Sequence, residues 1–213
     1  MSDTLSRLGV IPARAYRPQR RSTRAEGTRD RILSAVRELL EEGSFHESTM
    51  EQLADRAGIS RATLYQHFRS RLDLVDAICD SFAVNPALVE VRGTVELDDP
   101  DAALAETIAA SVRFWASEDP VLAQLYGVVA IDPAARDLVD RQRRDRRGEM
   151  ERLARHLRAA GRLRAGVGER KAVTLLMLLT SYDAFRELRE AGLGEREAAR
   201  ALQESGRALL LAD

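Results

Sequence analysis

The chain has 213 residues, room for one large domain or for a small domain joined to a medium one. With 45% apolar and 31% charged residues and no uncharged apolar run near the roughly 18 residues that span a bilayer, it is expected to be soluble rather than membrane-embedded. A net charge of −1 conceals an uneven split: residues 1–37 carry nine Arg against three acids, 38–55 six acids and no base, and 56–71 four Arg and no acid. Only this first third is built to meet an anion. The single cysteine, Cys79, excludes an intrachain disulfide and a cysteine-based zinc site. His46, His67 and His156 are scattered, so neither metal nor cofactor is expected. The N-terminal residues form no continuous apolar segment of the secretory kind, which makes the cytoplasm the expected location.

Residues 1–27, rich in Arg, Ser and Pro without apolar periodicity, read as a flexible arm. It either reaches a nucleic-acid groove or is a leader that touches nothing. Beyond it the spacing is helical almost everywhere and strand alternation is lacking, so the fold class is all-α. A first helix is predicted over 28–42, with Ile32, Ala35, Val36, Leu39 and Leu40 on one stripe and Gly43 as its stop. Thr49 with Gln52 spells a capping box opening a helix over 50–57, which Gly58 ends; Ser60 caps the next, over 61–68. Ser70 with Asp73 opens a fourth helix to about residue 82, where Asn85-Pro86 interrupts it. Asp99-Pro100, Asp119-Pro120 and Asp132-Pro133 each read as a helix start, an acceptor followed by proline at the first helical position. Helices over 169–191 and 195–211 close the chain, separated by Gly192-Leu193-Gly194.

The stretch TMEQLADRAGISRATLYQHF, residues 49–68, has the spacing of a DNA-binding helix-turn-helix, with Ala54 small at the crossing, Gly58 in the turn, and Ile59, Leu64 and Phe68 facing inward. Arg61, Thr63, Tyr65, Gln66 and His67 supply the outer, polar face. Together with residues 28–40 and the Ser-Arg-Leu-Asp-Leu-Val at 70–75, this block resembles the tetracycline-repressor (TetR) family of transcriptional regulators. The resemblance implies a three-helix DNA-binding domain, 28–72, joined by helix four to a C-terminal domain, 73–213, that binds a small effector and dimerises. It also implies that Arg61 and Ala62 face bases, while Thr49, Thr63, Tyr65 and His67 touch phosphate. Arg71, where the family commonly has Lys, would hold a phosphate. Thr28, heading the first helix, and the cap Ser60 complete the expected DNA-binding set.

The run over 172–179 is apolar around its whole circumference, so it demands cover on more than one side. With small residues along the last helix it suits a four-helix bundle across a two-fold axis, and Leu175, Leu176, Leu179, Ala201, Leu202 and Ser205 are the expected homodimer interface. A central core helix in a monomer is the alternative. The expected effector lining is the large or aromatic set Phe114, Trp115, Tyr126, Met150, Met177, Tyr182 and Phe185, with Ser181 as a hydroxyl. The Arg-rich run 141–147, surrounded by acids, reads as a solvated helix face. No enzyme motif is found: there is no Gly-x-Ser-x-Gly, and Gly166-Val-Gly168 lacks a strand before it and a third glycine. The function expected is that of a homodimeric repressor, released from double-stranded operator DNA by a small molecule. The alternative is a dimeric DNA-binding protein without an effector.

Overall fold

The computed structural model describes residues 19–95, 97–131 and 133–212. Among the described residues ten α-helices follow one another: α1 (Gln19–Glu41), α2 (Met50–Arg56), α3 (Arg61–His67), α4 (Arg71–Ser81), α5 (Pro86–Thr94), α6 (Pro100–Ile131), α7 (Pro133–Ala159), α8 (Glu169–Leu179), α9 (Tyr182–Glu190) and α10 (Glu195–Leu210). Among the described residues there is no strand. The one β-like feature is a bridge between Leu163 and Leu211, where the chain end pairs with the α7–α8 connection.

Local signals set the first four helices. The Thr49 hydroxyl accepts from the Gln52 N–H and the Gln52 side chain accepts from the Thr49 N–H, so two otherwise unpaired donors are satisfied reciprocally at the start of α2. Gly58 follows with φ +63°, a conformation that costs glycine little, and it turns the chain sharply into α3, whose cap Ser60 accepts from the Thr63 N–H. Ser70 caps α4 in the same way. Ile32, Val36 and Leu40 of α1, Leu53 of α2 and Leu64 of α3 are all buried and close the small core of this unit. Phe45, in a short 3₁₀ turn after α1, fills it.

Helix α1 begins at Gln19, nine residues ahead of the expected start. Gln, Arg, Ala and Glu follow Pro18 there, good helix formers with no breaker before Gly27, and lack of an apolar stripe does not prevent helix from propagating backward from a packed segment. Residues 1–18 of the expected arm lie outside the described residues. A further helix, α5, fills the stretch after Asn85, whose side chain accepts from the Ala87 N–H to cap it. Asp99 caps α6 as expected, and α7 begins at Pro133; Asp132 lies outside the described residues.

Two further boundaries differ from expectation. Pro120 opens no helix but sits inside the 32-residue α6. Interior proline removes one backbone hydrogen bond at a cost of about 3 kcal/mol, which burial of Val121, Leu122 and Leu125 just beyond it offsets. The segment 169–191 is not one helix, because it breaks at Thr180-Ser181: the Ser181 hydroxyl accepts from the Ala184 N–H and starts α9. In the C-terminal domain α6 packs against α5, α7 and α10, and α8 packs against α7 and α10. Gly206 permits the close approach of α10 to α6, since a Cβ there would stand 2.7 Å from Ile108 Cδ1.

Candidate nucleic-acid interface and the aromatic cluster

Helix α3 is divided by face. Leu64 and Phe68 are buried, Arg61, Ala62, Tyr65 and Gln66 are exposed, and Thr63 and His67 are half-buried at the edges. Glycine at the turn fixes the angle between α2 and α3, so this polar face is held by a packed one. The Arg61 guanidinium lies 5.6 Å from the centre of the Tyr65 ring, one turn on. Thr49 and Ser60 are exposed but act as caps, and the Thr63 hydroxyl is 2.8 Å from that of Ser60. Thr28 is half-buried on α1.

The basic island 56–71 separates in space. Arg56 bridges Glu38 and Glu42 and fastens α2 to α1, drawing part of the acidic island away from α3. Arg71 turns inward: its guanidinium donates to the carbonyls of Ser48 and Phe45, lies 4.3 Å from the Phe45 ring centre, and is pushed below the usual guanidinium value by burial. Two of its donors therefore clamp the approach to α2, a use the sequence reading did not anticipate. Arg61 and Arg69 remain exposed. Arg29 on α1, 5.3 Å from the Phe68 ring centre, joins the basic surface. It was missed because it sits off the helix-turn-helix block.

The C-terminal domain gathers most of the expected effector residues. Phe114 and Trp115 are 4.7 Å apart, Trp115 and Tyr182 5.7 Å, Tyr126 and Tyr182 4.9 Å, and Tyr182 and Phe185 6.3 Å, centre to centre. Met150 reaches the cluster through the Thr180 hydroxyl, 3.6 Å from its sulfur. Met177 is buried on α8, and Ser181 is the cap of α9. The Tyr182 hydroxyl donates to Asp119 Oδ1 at 2.6 Å; burial, and then this bond, hold the phenol well above its usual value.

Two polar features of this region escaped the sequence reading. Arg146, inside the run read as solvated, lies partly buried on the apolar stripe of α7 with Met150, Leu153 and Leu157. Its i, i+4, i+7, i+11 spacing was the available signal. Glu118, beside Asp119, is buried and accepts from Arg37 of α1 and from Asn85 at the head of α5. Arg141 of α7 pairs with Asp76 of α4. The Arg37–Glu118 pair thus joins the helix-turn-helix unit to α6, and Arg141–Asp76 ties α7 to the connecting helix α4.

The expected interface residues Leu176, Leu179 and Leu202 lie in the chain's own core, so their apolarity needs no partner to explain it. Leu175 and Ala201 are half-buried and Ser205 is exposed. The outward apolar residues of α8 and α10 are Leu178, 60% exposed, and Leu209, 44% exposed.

A glycine-turned helix pair on a three-helix core, carried by a larger helical domain, defines the helix-turn-helix class of fold. Residues 32–78 match the family model described as bacterial regulatory proteins, tetR family. The chain is 45% identical over 56 residues to the HTH-type transcriptional regulator UidR of Escherichia coli K12, covering 26% of this chain and 29% of UidR. It is 40% identical over 79 residues to the HTH-type transcriptional activator FasR of Mycolicibacterium smegmatis, 37% of this chain and 36% of FasR. The chain therefore aligns with little more than a third of these relatives' length. Its fold is like that of SmeT, the repressor of a Stenotrophomonas maltophilia multidrug efflux pump, at a TM-score of 0.68 with 19% identity over 89% of this chain and 93% of SmeT. Residues 32–78 thus match the DNA-binding region of the TetR family, and the fold of the chain is like that of a solved TetR-type repressor.

Proposed function

We propose that the protein is a homodimeric, non-enzymatic transcriptional regulator of the cytoplasm. It binds operator DNA through α3 and acts as a repressor released by a small molecule at the aromatic cluster. The observation that carries the reading is the exposed Arg61, Ala62, Tyr65 and Gln66 on a helix whose opposite face, Leu64 and Phe68, is buried. Arg61 and Ala62 read bases, and Arg29, Arg69 and Tyr65 lie along the backbone. Two such helices must stand about 34–36 Å apart to enter successive major grooves. The outward stripes of α8 and α10, with Leu175, Leu178, Ala201, Ser205 and Leu209, would form the dimer contact that sets this distance.

A route for release runs through neighbouring residues. A ligand that shifts Tyr182 disturbs Asp119, and the next residue back, Glu118, holds Arg37 of α1. The ligand then favours a different separation of the recognition helices, which is a population shift. SmeT, of like fold, is described in complex with triclosan, which supports a small-molecule effector. The close ring packing favours a second reading, a DNA-binding dimer without an effector.

Footprinting with Arg61→Ala tests the DNA assignment. Base contacts specify whereas phosphate contacts position, so discrimination should fall by about 1–3 kcal/mol for one bidentate guanine contact, with nonspecific affinity less affected. Unchanged sequence preference would remove α3 from the major groove.

A further inference from the structure

Arg92, Arg164 and Arg189 donate to backbone carbonyls from exposed positions, whereas Arg146 does so from a partly buried one. Arg113, Arg141, Arg162 and Arg186 each pair with a carboxylate, of Glu90, Asp76, Asp101 and Glu190. Arg146 instead donates one hydrogen bond, from Nη1 to the Thr180 carbonyl at 2.9 Å, and its Cζ lies 6.0 Å from the centre of the Trp115 ring. A guanidinium carries five N–H donors in a fixed fork. The charges that bear on it are Asp183 and Tyr126, which favour the cation, and Arg143, which opposes it; burial outweighs them all and pulls its pKa down. Trp115 Nε1 donates to the same Thr180 carbonyl at 3.0 Å, so the fork and the indole edge are held on one anchor.

We propose that this cluster is the receptor for an apolar or aromatic carboxylic acid, with Arg146 pairing its carboxylate and Trp115, Tyr126 and Tyr182 packing on its body. The proposal deepens the effector reading above and rests on it. A partly buried cation facing a carbonyl has donors to spare, and a carboxylate matches the guanidinium fork with two parallel hydrogen bonds. One guanidinium balances one negative charge; a phosphate dianion would leave a charge uncompensated among the rings. Tyr126 is the outermost ring, 36% exposed, and is the side chain that moves aside to admit the ligand.

Trp115 is the chain's sole tryptophan, so its emission reports on the site directly. The full-length protein is titrated with decanoate and 4-phenylbutanoate and with the neutral amides of both. The acids should bind at least about tenfold more tightly than the amides, as a charge-assisted pair predicts. Arg146→Gln should bring acid and amide within about threefold, whereas Arg146→Lys keeps part of the preference. Arg146→Met, which continues the apolar stripe, serves as a second neutral variant if Gln lowers the melting temperature.

Equal binding of acid and amide to the wild type overturns the charge assignment and leaves the effector site standing. An acid preference that survives in the neutral variants removes Arg146 from the site. No saturable response to either acid or amide overturns the effector reading and this inference with it.

Discussion

Replacing Glu118 by Ala should destabilise the protein by more than the loss of a surface ion pair would. The carboxylate is 4% exposed, and it accepts from Arg37 of α1 through Oε2 and from the Asn85 side chain through Oε1 at 2.6 Å. Removing one member of a buried pair costs about 3–5 kcal/mol because the other is left uncompensated. Here Arg37 retains one-third of its side-chain exposure and a second partner, Glu41 at 3.3 Å, so part of that cost is recovered by water and by the neighbour. About 2–3 kcal/mol is the expected loss for Glu118→Ala. Arg37→Ala should cost about the same, since it leaves the buried carboxylate with Asn85 alone. For a chain of this length, each kcal/mol moves the melting temperature by about 2–4 °C, so the single variants should melt roughly 5–10 °C early. Urea unfolding of wild type, both singles and the double isolates the pair, with an expected coupling of about 1–3 kcal/mol. A coupling below about 0.5 kcal/mol, within the additivity of independent sites, would show that α1 and α6 are joined by apolar packing and that the ion pair contributes nothing.

Gly206→Ala should lose stability although alanine is the better helix former by about 1 kcal/mol, because the added methyl meets Ile108 at 2.7 Å; Ile108→Val in the same chain should recover part of the loss in thermal melts. Cys79 is buried beside Asp76 and Asp80, and burial first, then these acids, push its thiol up to about 11. At pH 8 iodoacetamide should therefore label it in urea but not in the native protein, and fast native labelling would contradict the packing of α4. Leu178→Glu should give a folded monomer by sedimentation, whereas Leu176→Glu, fully buried, should fail to fold. An undisturbed dimer with Glu at 178 would move the interface elsewhere.

The first third of the fold was legible because its instructions are local. Thr49 with Gln52, Gly58, Ser60 and Ser70 each act on backbone groups within three or four residues, and each stands where the sequence put it. Helix boundaries were misread where a local signal was outvoted. Asp119-Pro120 spells a start, yet apolar residues on both sides of it are buried on one continuous α6, and Asp119 is employed on Tyr182 instead. Ser181 is a good cap, but the unbroken apolar run before it concealed the break.

The same distinction separates the two candidate functional regions. The polar face of α3 follows from its own sequence once Leu64 and Phe68 are assigned inward, so Arg61, Tyr65 and Gln66 could be named from spacing, whereas Ala62 came from the family resemblance. The aromatic cluster is assembled from α6, α7 and α9, and its polar members are defined by partners far along the chain: Arg146 by Thr180, Tyr182 by Asp119, Glu118 by Arg37. Apolar periodicity identifies which side chains turn inward but is silent about which buried polar group meets which. Leu176 and Leu178 make the point within a single turn of α8. Both belong to an all-apolar run, and only the packing of α7 and α10 on one side of the helix decides that the first is core and the second faces outward. Surplus apolarity on α8 is thus concentrated in one outward stripe, where a partner's cover would remove Leu178 from water without disturbing the core beneath it.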